Sequence, residues 1–234
     1  VIRGVVLGAD RAGPVRDLSP PGSDAEMPRV AAFGHEGRHF VVWTARRQEA
    51  IPARDASPED EATGEARVPS WLEAVVVDGA GATVGPVRTL TSPSGYVSAY
   101  DMQILDGEPR PTLLVVARDD GEAVDGSGGT LFRVRAGADF VEPPVAFTHD
   151  GLGRGAPVFI ADAERAAAWL SWVGPAEHLR LLALDAAGAP QGLPSAEEGM
   201  DEARPVLGLR SGHLLVAAPG DAARPLRTFS CLRR

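Results

Sequence analysis

A short phrase of apolar residues running into an Asp-x-Ala-Gly or Asp-Ala-Ala-Gly turn recurs along the chain and constrains the fold more than any other feature. It appears as Val5-Val6-Leu7 to Asp10-Arg11-Ala12-Gly13, as Val75-Val76-Val77-Asp78-Gly79-Ala80-Gly81, and as Leu181-Leu182-Ala183-Leu184-Asp185-Ala186-Ala187-Gly188. Asp accepts backbone hydrogen bonds in tight turns and Gly supplies positive φ, so each phrase predicts a strand ending in a hairpin. Recurrence of the phrase predicts a repeating β unit.

A second series marks another strand of the same unit. Phe40-Val41-Val42-Trp43-Thr44, Leu113-Leu114-Val115-Val116-Ala117, Trp169-Leu170-Ser171-Trp172-Val173 and Leu214-Leu215-Val216-Ala217-Ala218 are near-continuous apolar runs, the pattern of a strand covered on both faces. The first interval is the longest because it holds Arg46 to Ser70, a Pro-, Ala- and acid-rich run without apolar period. Treated as a loop insertion, residues 46–70 leave a spacing near the ~40 to 50 residues of blade repeats.

Each unit reads as four strands. The first carries Pro and small residues, as in Pro28-Arg29-Val30-Ala31-Ala32, Pro157-Val158-Phe159-Ile160-Ala161, Pro205-Val206-Leu207-Gly208-Leu209 and a degenerate Ser98-Ala99-Tyr100-Asp101-Met102. The apolar run is the second strand, the Asp turn closes the third, and a short fourth follows, as in Gly13-Pro14-Val15-Arg16-Asp17-Leu18 and Gly85-Pro86-Val87-Arg88-Thr89-Leu90. With its Pro-x-Val, Phe-Val-Val-Trp and Val-Val-Asp-x-x-Gly strands the chain resembles the β-propeller repeats of exported and lipid-anchored proteins of GC-rich bacteria. The resemblance covers nearly the whole chain. It implies an all-β propeller of about four to five four-stranded blades, a binding or scaffolding role and an extracytoplasmic setting, and it transfers no catalytic position.

The ends leave the strand count open. Val1 to Leu18 supplies third and fourth strands, three complete units follow, and Asp201 to Arg234 supplies first, second and third strands. Because unpaired edges invite other chains, the ends are expected either to meet in a composite blade or to be completed by another chain. Residues 1–234 are read as a single domain, with 27 Gly and 20 Pro spread along the chain to punctuate short strands. The first residue is Val1 rather than Met, read as removal of something upstream.

A net charge of -9 disfavours nucleic acid and anionic membrane, whose phosphates need a basic face, and no apolar stretch approaches the ~20 residues of a membrane span. The expected partner is protein. The lone Cys231 makes no internal disulfide, so the fold rests on packing and sheet hydrogen bonds. Of the four Trp, Trp43, Trp71 and at least one of Trp169 and Trp172, read as sharing a face, are expected in the core.

Two motifs invite a catalytic or metal reading. His35-Glu36-Gly37-Arg38-His39 is a literal H-E-x-x-H, which serves zinc peptidases because a helix brings both imidazoles to one face beside a general base. Gly34 and Gly37 oppose a helix, and Phe40 to Thr44 aligns with strands, so the motif is expected in a polar turn. Asp119-Asp120-Gly121-Glu122-Ala123-Val124-Asp125-Gly126 has the acidity of a calcium loop without its ligand alternation, and is expected to be a solvated hairpin loop. The acidic run Arg54 to Glu65 within the insertion reads as a solvated segment.

No nucleophile, base and orienting group recur together, so the leading expectation is a non-enzymatic scaffold or recognition module without cofactor or metal. The alternative is a hydrolase, either a zinc peptidase through His35, Glu36 and His39 or a glycoside hydrolase with first-strand carboxylates, Asp101 and Asp162.

Overall fold

The Asp turns set the sheets. The computed structural model describes residues 1–7, 12–33, 37–46, 68–105, 111–121, 129–146, 156–162, 167–174, 179–197, 206–210, 213–219 and 226–232, and among these it contains strands and turns without a helix. Asp78 and Asp185 make the same turn. Asp78 Oδ1 accepts from the amides of Ala80 (2.9 Å) and Ala82 (2.8 Å), and Asp185 Oδ1 accepts from those of Ala187 and Ala189, both at 2.8 Å. Gly81 and Gly188 then carry the chain back at φ 74° and 73°. A side chain at Gly81 would also strike Val6, since its Cβ would lie 2.8 Å from Val6 Cγ2.

The strands they connect are β1 (Arg3–Gly4), β2 (Arg16–Asp17), β3 (Asp24–Phe33), β4 (Arg38–Arg46), β5 (Ser70–Val77), β6 (Arg88–Thr89), β7 (Val97–Leu105), β8 (Thr112–Asp119), β9 (Thr130–Ala136), β10 (Val145–Ala146), β11 (Val158–Asp162), β12 (Ala167–Val173), β13 (Leu179–Leu184), β14 (Ser195–Glu197), β15 (Val206–Arg210), β16 (His213–Pro219) and β17 (Leu226–Leu232). They form antiparallel meanders in chain order: a two-stranded sheet β1-β2, three four-stranded units β3-β6, β7-β10 and β11-β14, and a three-stranded sheet β15-β17. The protein is therefore all-β. Residues 47–67, most of the insertion, lie outside the described residues, as do Glu122 to Asp125 of the acidic loop.

Central strands are apolar because both their faces are covered. Phe40 to Ala45 of β4 and Leu113 to Ala117 of β8 are all buried. Their alternating side chains feed separate layers: Phe40, Val42, Leu113 and Val115 share one core with Leu72 and Tyr100, while Leu114 and Val116 join Leu170, Trp172 and Leu182 in the next. On the other side of β4, Val41 and Trp43 pack with Ile2 and Leu18 of the N-terminal hairpin. Trp169 and Trp172 stand three residues apart, an odd spacing that places them on opposite faces of a strand, so the shared face expected for them is corrected. Trp172 is buried and Trp169 half-buried.

Polar ties link successive units. The Ser70 hydroxyl donates to the Val97 carbonyl (2.8 Å), the Ser70 amide donates to that of Gly95 (2.8 Å), and Arg133 Nη1 donates to the Gly188 carbonyl (2.9 Å). The Arg88 guanidinium reaches the carbonyls of Gly137 and Ala138 in the turn after β9. First strands neighbour one another in succession, β3 with β7, β7 with β11, and β11 with β15. Among the described residues the ends do not share a sheet: β1 pairs with β2 and β17 with β16. The composite blade expected from both ends is thus not formed, because β17 already occupies the third-strand place beside β16 that β1 would have needed.

Candidate functional site

Among the described residues, a set of polar groups converges on the neighbouring first strands β3, β7 and β11. In β3 a bulge sets Met27 and Pro28 opposite the single residue Trp43, and Met27 takes a positive φ of 51°. Such a backbone is costly for a side-chain-bearing residue and persists where surroundings fix it. Tyr100 does so here: its buried hydroxyl lies 2.6 Å from the Met27 carbonyl oxygen and 2.8 Å from that of Val42. With one proton it donates to one carbonyl at a time. Burial pushes the Tyr100 hydroxyl well above the ordinary phenol range, against the opposing pull of the nearby Arg29 charge, so it stays a neutral donor.

After the bulge, the Arg29 guanidinium sits 5.6 Å from the Tyr100 ring centroid and donates through Nη1 to Asp101 Oδ1 (2.8 Å). The same oxygen accepts from the Met102 amide (2.9 Å), and Oδ2 accepts from the Phe159 amide of the next unit (2.7 Å). One carboxylate therefore holds three units together. Charge-assisted bonds of this kind are stronger than neutral ones. Chemically, both oxygens are engaged by donors of the protein itself, which suits a tie between strands rather than an acid or base turned toward a substrate.

The other residues singled out in the sequence fall elsewhere. His39 lies on β4, paired with Ala32 and Val77, and Gly37 before it turns at φ 65°. A strand over Arg38–Arg46 replaces the helix that a zinc-binding H-E-x-x-H requires, while His35 and Glu36 lie outside the described residues. Asp162 is the last residue of β11, opposite Ala167. Among the described residues no group of three or more His, Cys, Asp or Glu side chains is placed to hold a metal. Asp119 Oδ1 accepts from the amides of Tyr96 (3.2 Å) and Gly121 (2.9 Å), and Asp120 pairs with Arg118, so both acids at the start of the acidic loop have protein partners.

Between the first two units lies an open cleft with a cavity volume of only ≈ 10 Å³, lined by Phe40, Val76, Val84, Pro86, Arg88 and Val141 among others. It is below the size range of pockets that enclose small molecules, and its one charged group is already committed to Gly137 and Ala138. Among the described residues no helix is long and apolar enough to cross a membrane.

Sequence reasoning passed over Arg29, Tyr100 and the Met27 bulge. A usable signal was present in the placement of Tyr100, one of two Tyr in the chain, on a first strand otherwise built from small residues. It also passed over Glu73, whose carboxylate accepts from the indole N–H of Trp43 (3.1 Å) and of Trp71 (3.0 Å). No protein-family model matches the chain, and no curated protein shows significant similarity to it.

Proposed function

We infer that the chain is a propeller-type module of about four to five four-stranded blades, and that it works by presenting a rigid surface to a protein partner or ligand rather than by catalysis. The observation that carries this reading is Asp101: the central carboxylate spends both oxygens on joining three units. Three further features support the arrangement, namely the chain-order meanders, the apolar layers between sheets, and the succession of first strands from β3 to β15. Blades stacked through apolar faces around adjoining inner strands have these properties.

The test is metal content and hydrolysis. Purified protein is expected to hold no stoichiometric zinc, and His35→Ala and His39→Ala variants are expected to match the parent in metal content and thermal stability. Stoichiometric zinc lost in both variants, together with peptidase activity, would overturn the non-enzymatic reading.

A further inference from the structure

The turn that closes β5 sets a carboxyl carbon, two backbone donors and an unengaged amide side by side. Asp78 Oδ1 accepts from the Ala80 amide (2.9 Å) and the Ala82 amide (2.8 Å), while the Asp78 main-chain carbonyl accepts from the Gly81 amide (2.9 Å). Among the described residues, the Gly79 amide has no acceptor and Asp78 Oδ2 has no donor. Gly79 and Ala80 are exposed to solvent. Two N–H groups aimed at one carboxyl oxygen stabilise the oxyanion that forms when a nucleophile adds to its carbon. The adjoining nucleophile is the Gly79 nitrogen, held next in the chain and without a Cβ to hinder its approach.

We propose that Asp78 is a site of spontaneous covalent modification, at which the turn promotes its own conversion through a succinimide to isoaspartate. Starting from the protonated carboxyl, the Gly79 nitrogen bonds to Asp78 Cγ as negative charge collects on Oδ1. The Cγ–Oδ2 bond then breaks, and the Oδ2 hydroxyl leaves as water with the proton of the Gly79 amide. Water next adds to one of the two ring carbonyls. Addition at Cγ restores aspartate, whereas addition at the main-chain carbonyl carbon breaks its bond to the Gly79 nitrogen and routes the chain through Cβ and Cγ. Only water enters and leaves, so the sum is an isomerisation. In the product Oδ1 belongs to a main-chain amide and the former carbonyl to a free carboxylate, so the bonds from Ala80, Gly81 and Ala82 lose their geometry.

Two other sites in the chain separate the contributions of sequence and turn. Asp185 makes the same turn, with Oδ1 accepting from Ala187 and Ala189 and its carbonyl from Gly188, but the residue after it is Ala186, whose Cβ restricts the backbone. Asp120-Gly121 has the reactive dipeptide in the opposite setting. There the Gly121 amide donates to Asp119 Oδ1 (2.9 Å), and Arg118 occupies the Asp120 carboxylate. The Asp-Gly steps at Asp106, Asp125 and Asp150 lie outside the described residues. This chemistry is independent of the recognition role inferred above and goes beyond it.

The test is peptide mapping of the full chain after prolonged incubation in a mildly acidic buffer that leaves it folded, with labelling by an isoaspartyl methyltransferase as a second readout. The Asp78 peptide is expected to split into peaks of equal mass, preceded by one lighter by a single water, while the Asp185 and Asp120 peptides stay single. Gly79 does not take a positive φ, and a Cβ there would meet only the Gly37 carbonyl oxygen at 3.4 Å, so Gly79→Ala keeps the turn. That variant is expected to convert ~5-fold more slowly or less, and Ala186→Gly to introduce the reaction at Asp185. A synthetic peptide of residues 73–84, which carries the dipeptide without the held turn, is expected to react more slowly than the folded chain. An unmodified Asp78, equal conversion at Asp185, an undiminished rate in Gly79→Ala, or a peptide faster than the chain overturns the proposal. Were Gly79→Ala to misfold, Ala186→Gly and the comparison among the three sites decide.

Discussion

Trp43→Ala is expected to lower unfolding stability by about 3–5 kcal/mol, measured as the shift in urea midpoint at unchanged slope. Trp43 is fully buried on β4 and packs in the layer that joins the N-terminal hairpin to unit β3-β6, beside Val41, Val75, Ile2 and Leu18. Truncation removes its transfer energy and leaves a cavity between two sheets whose backbones are fixed by their own ladders, so collapse is limited. It also deprives Glu73 of one of its two indole donors, leaving Trp71 alone on that carboxylate. Trp169→Ala serves as the comparison, since that side chain is half-buried and its loss opens less space. A loss below about 1 kcal/mol at Trp43, the typical effect of an average substitution, would show that the hairpin does not pack there.

Asp101→Ala is expected to cost about 2–3 kcal/mol, a large effect for a residue that contributes almost nothing to the apolar core. The dominant loss is the Phe159 amide, which lies at a buried residue and is left without its acceptor. The ion pair itself contributes little, because the Arg29 side chain is half exposed and screened by solvent. Asp101→Asn separates the two contributions: it keeps one carbonyl oxygen while removing the charge, and is expected to retain more than half of the lost stability. Because the carboxylate joins three units, the alanine variant should also broaden the unfolding transition as the units uncouple. A loss under about 0.5 kcal/mol, the range of an ordinary surface change, would remove Asp101 from its role as the tie.

Local chemistry was legible in the sequence and long-range chemistry was not. The Asp78 and Asp185 turns could be read because an Asp followed three residues later by Gly carries its own hydrogen-bond partners within five residues. The second strands could be read because burial on both faces leaves an unbroken apolar run. The turn after β9 had no such signature: Gly137 precedes Asp139, and the closing bond runs from the Gly137 amide to the Phe140 carbonyl. Arg29 and Asp101 meet across 72 residues, and nothing within either strand specifies that encounter. The Met27 bulge was hidden because its support comes from Tyr100 on another sheet. Of the two arrangements expected for the ends, the composite blade failed because β17 and β1 both read as third strands, and the repeat pattern alone does not say which one β16 takes.

Side-by-side first strands around a shared centre are the premise of the proposed recognition module, and through-space NMR contacts on deuterated, selectively labelled protein test it most directly. The account predicts cross-peaks from the Tyr100 ring to Met27 and Arg29, and from the Phe159 amide to the Asp101 β-protons, joining β3, β7 and β11. Contacts confined within each four-stranded sheet, with none between first strands, would contradict it.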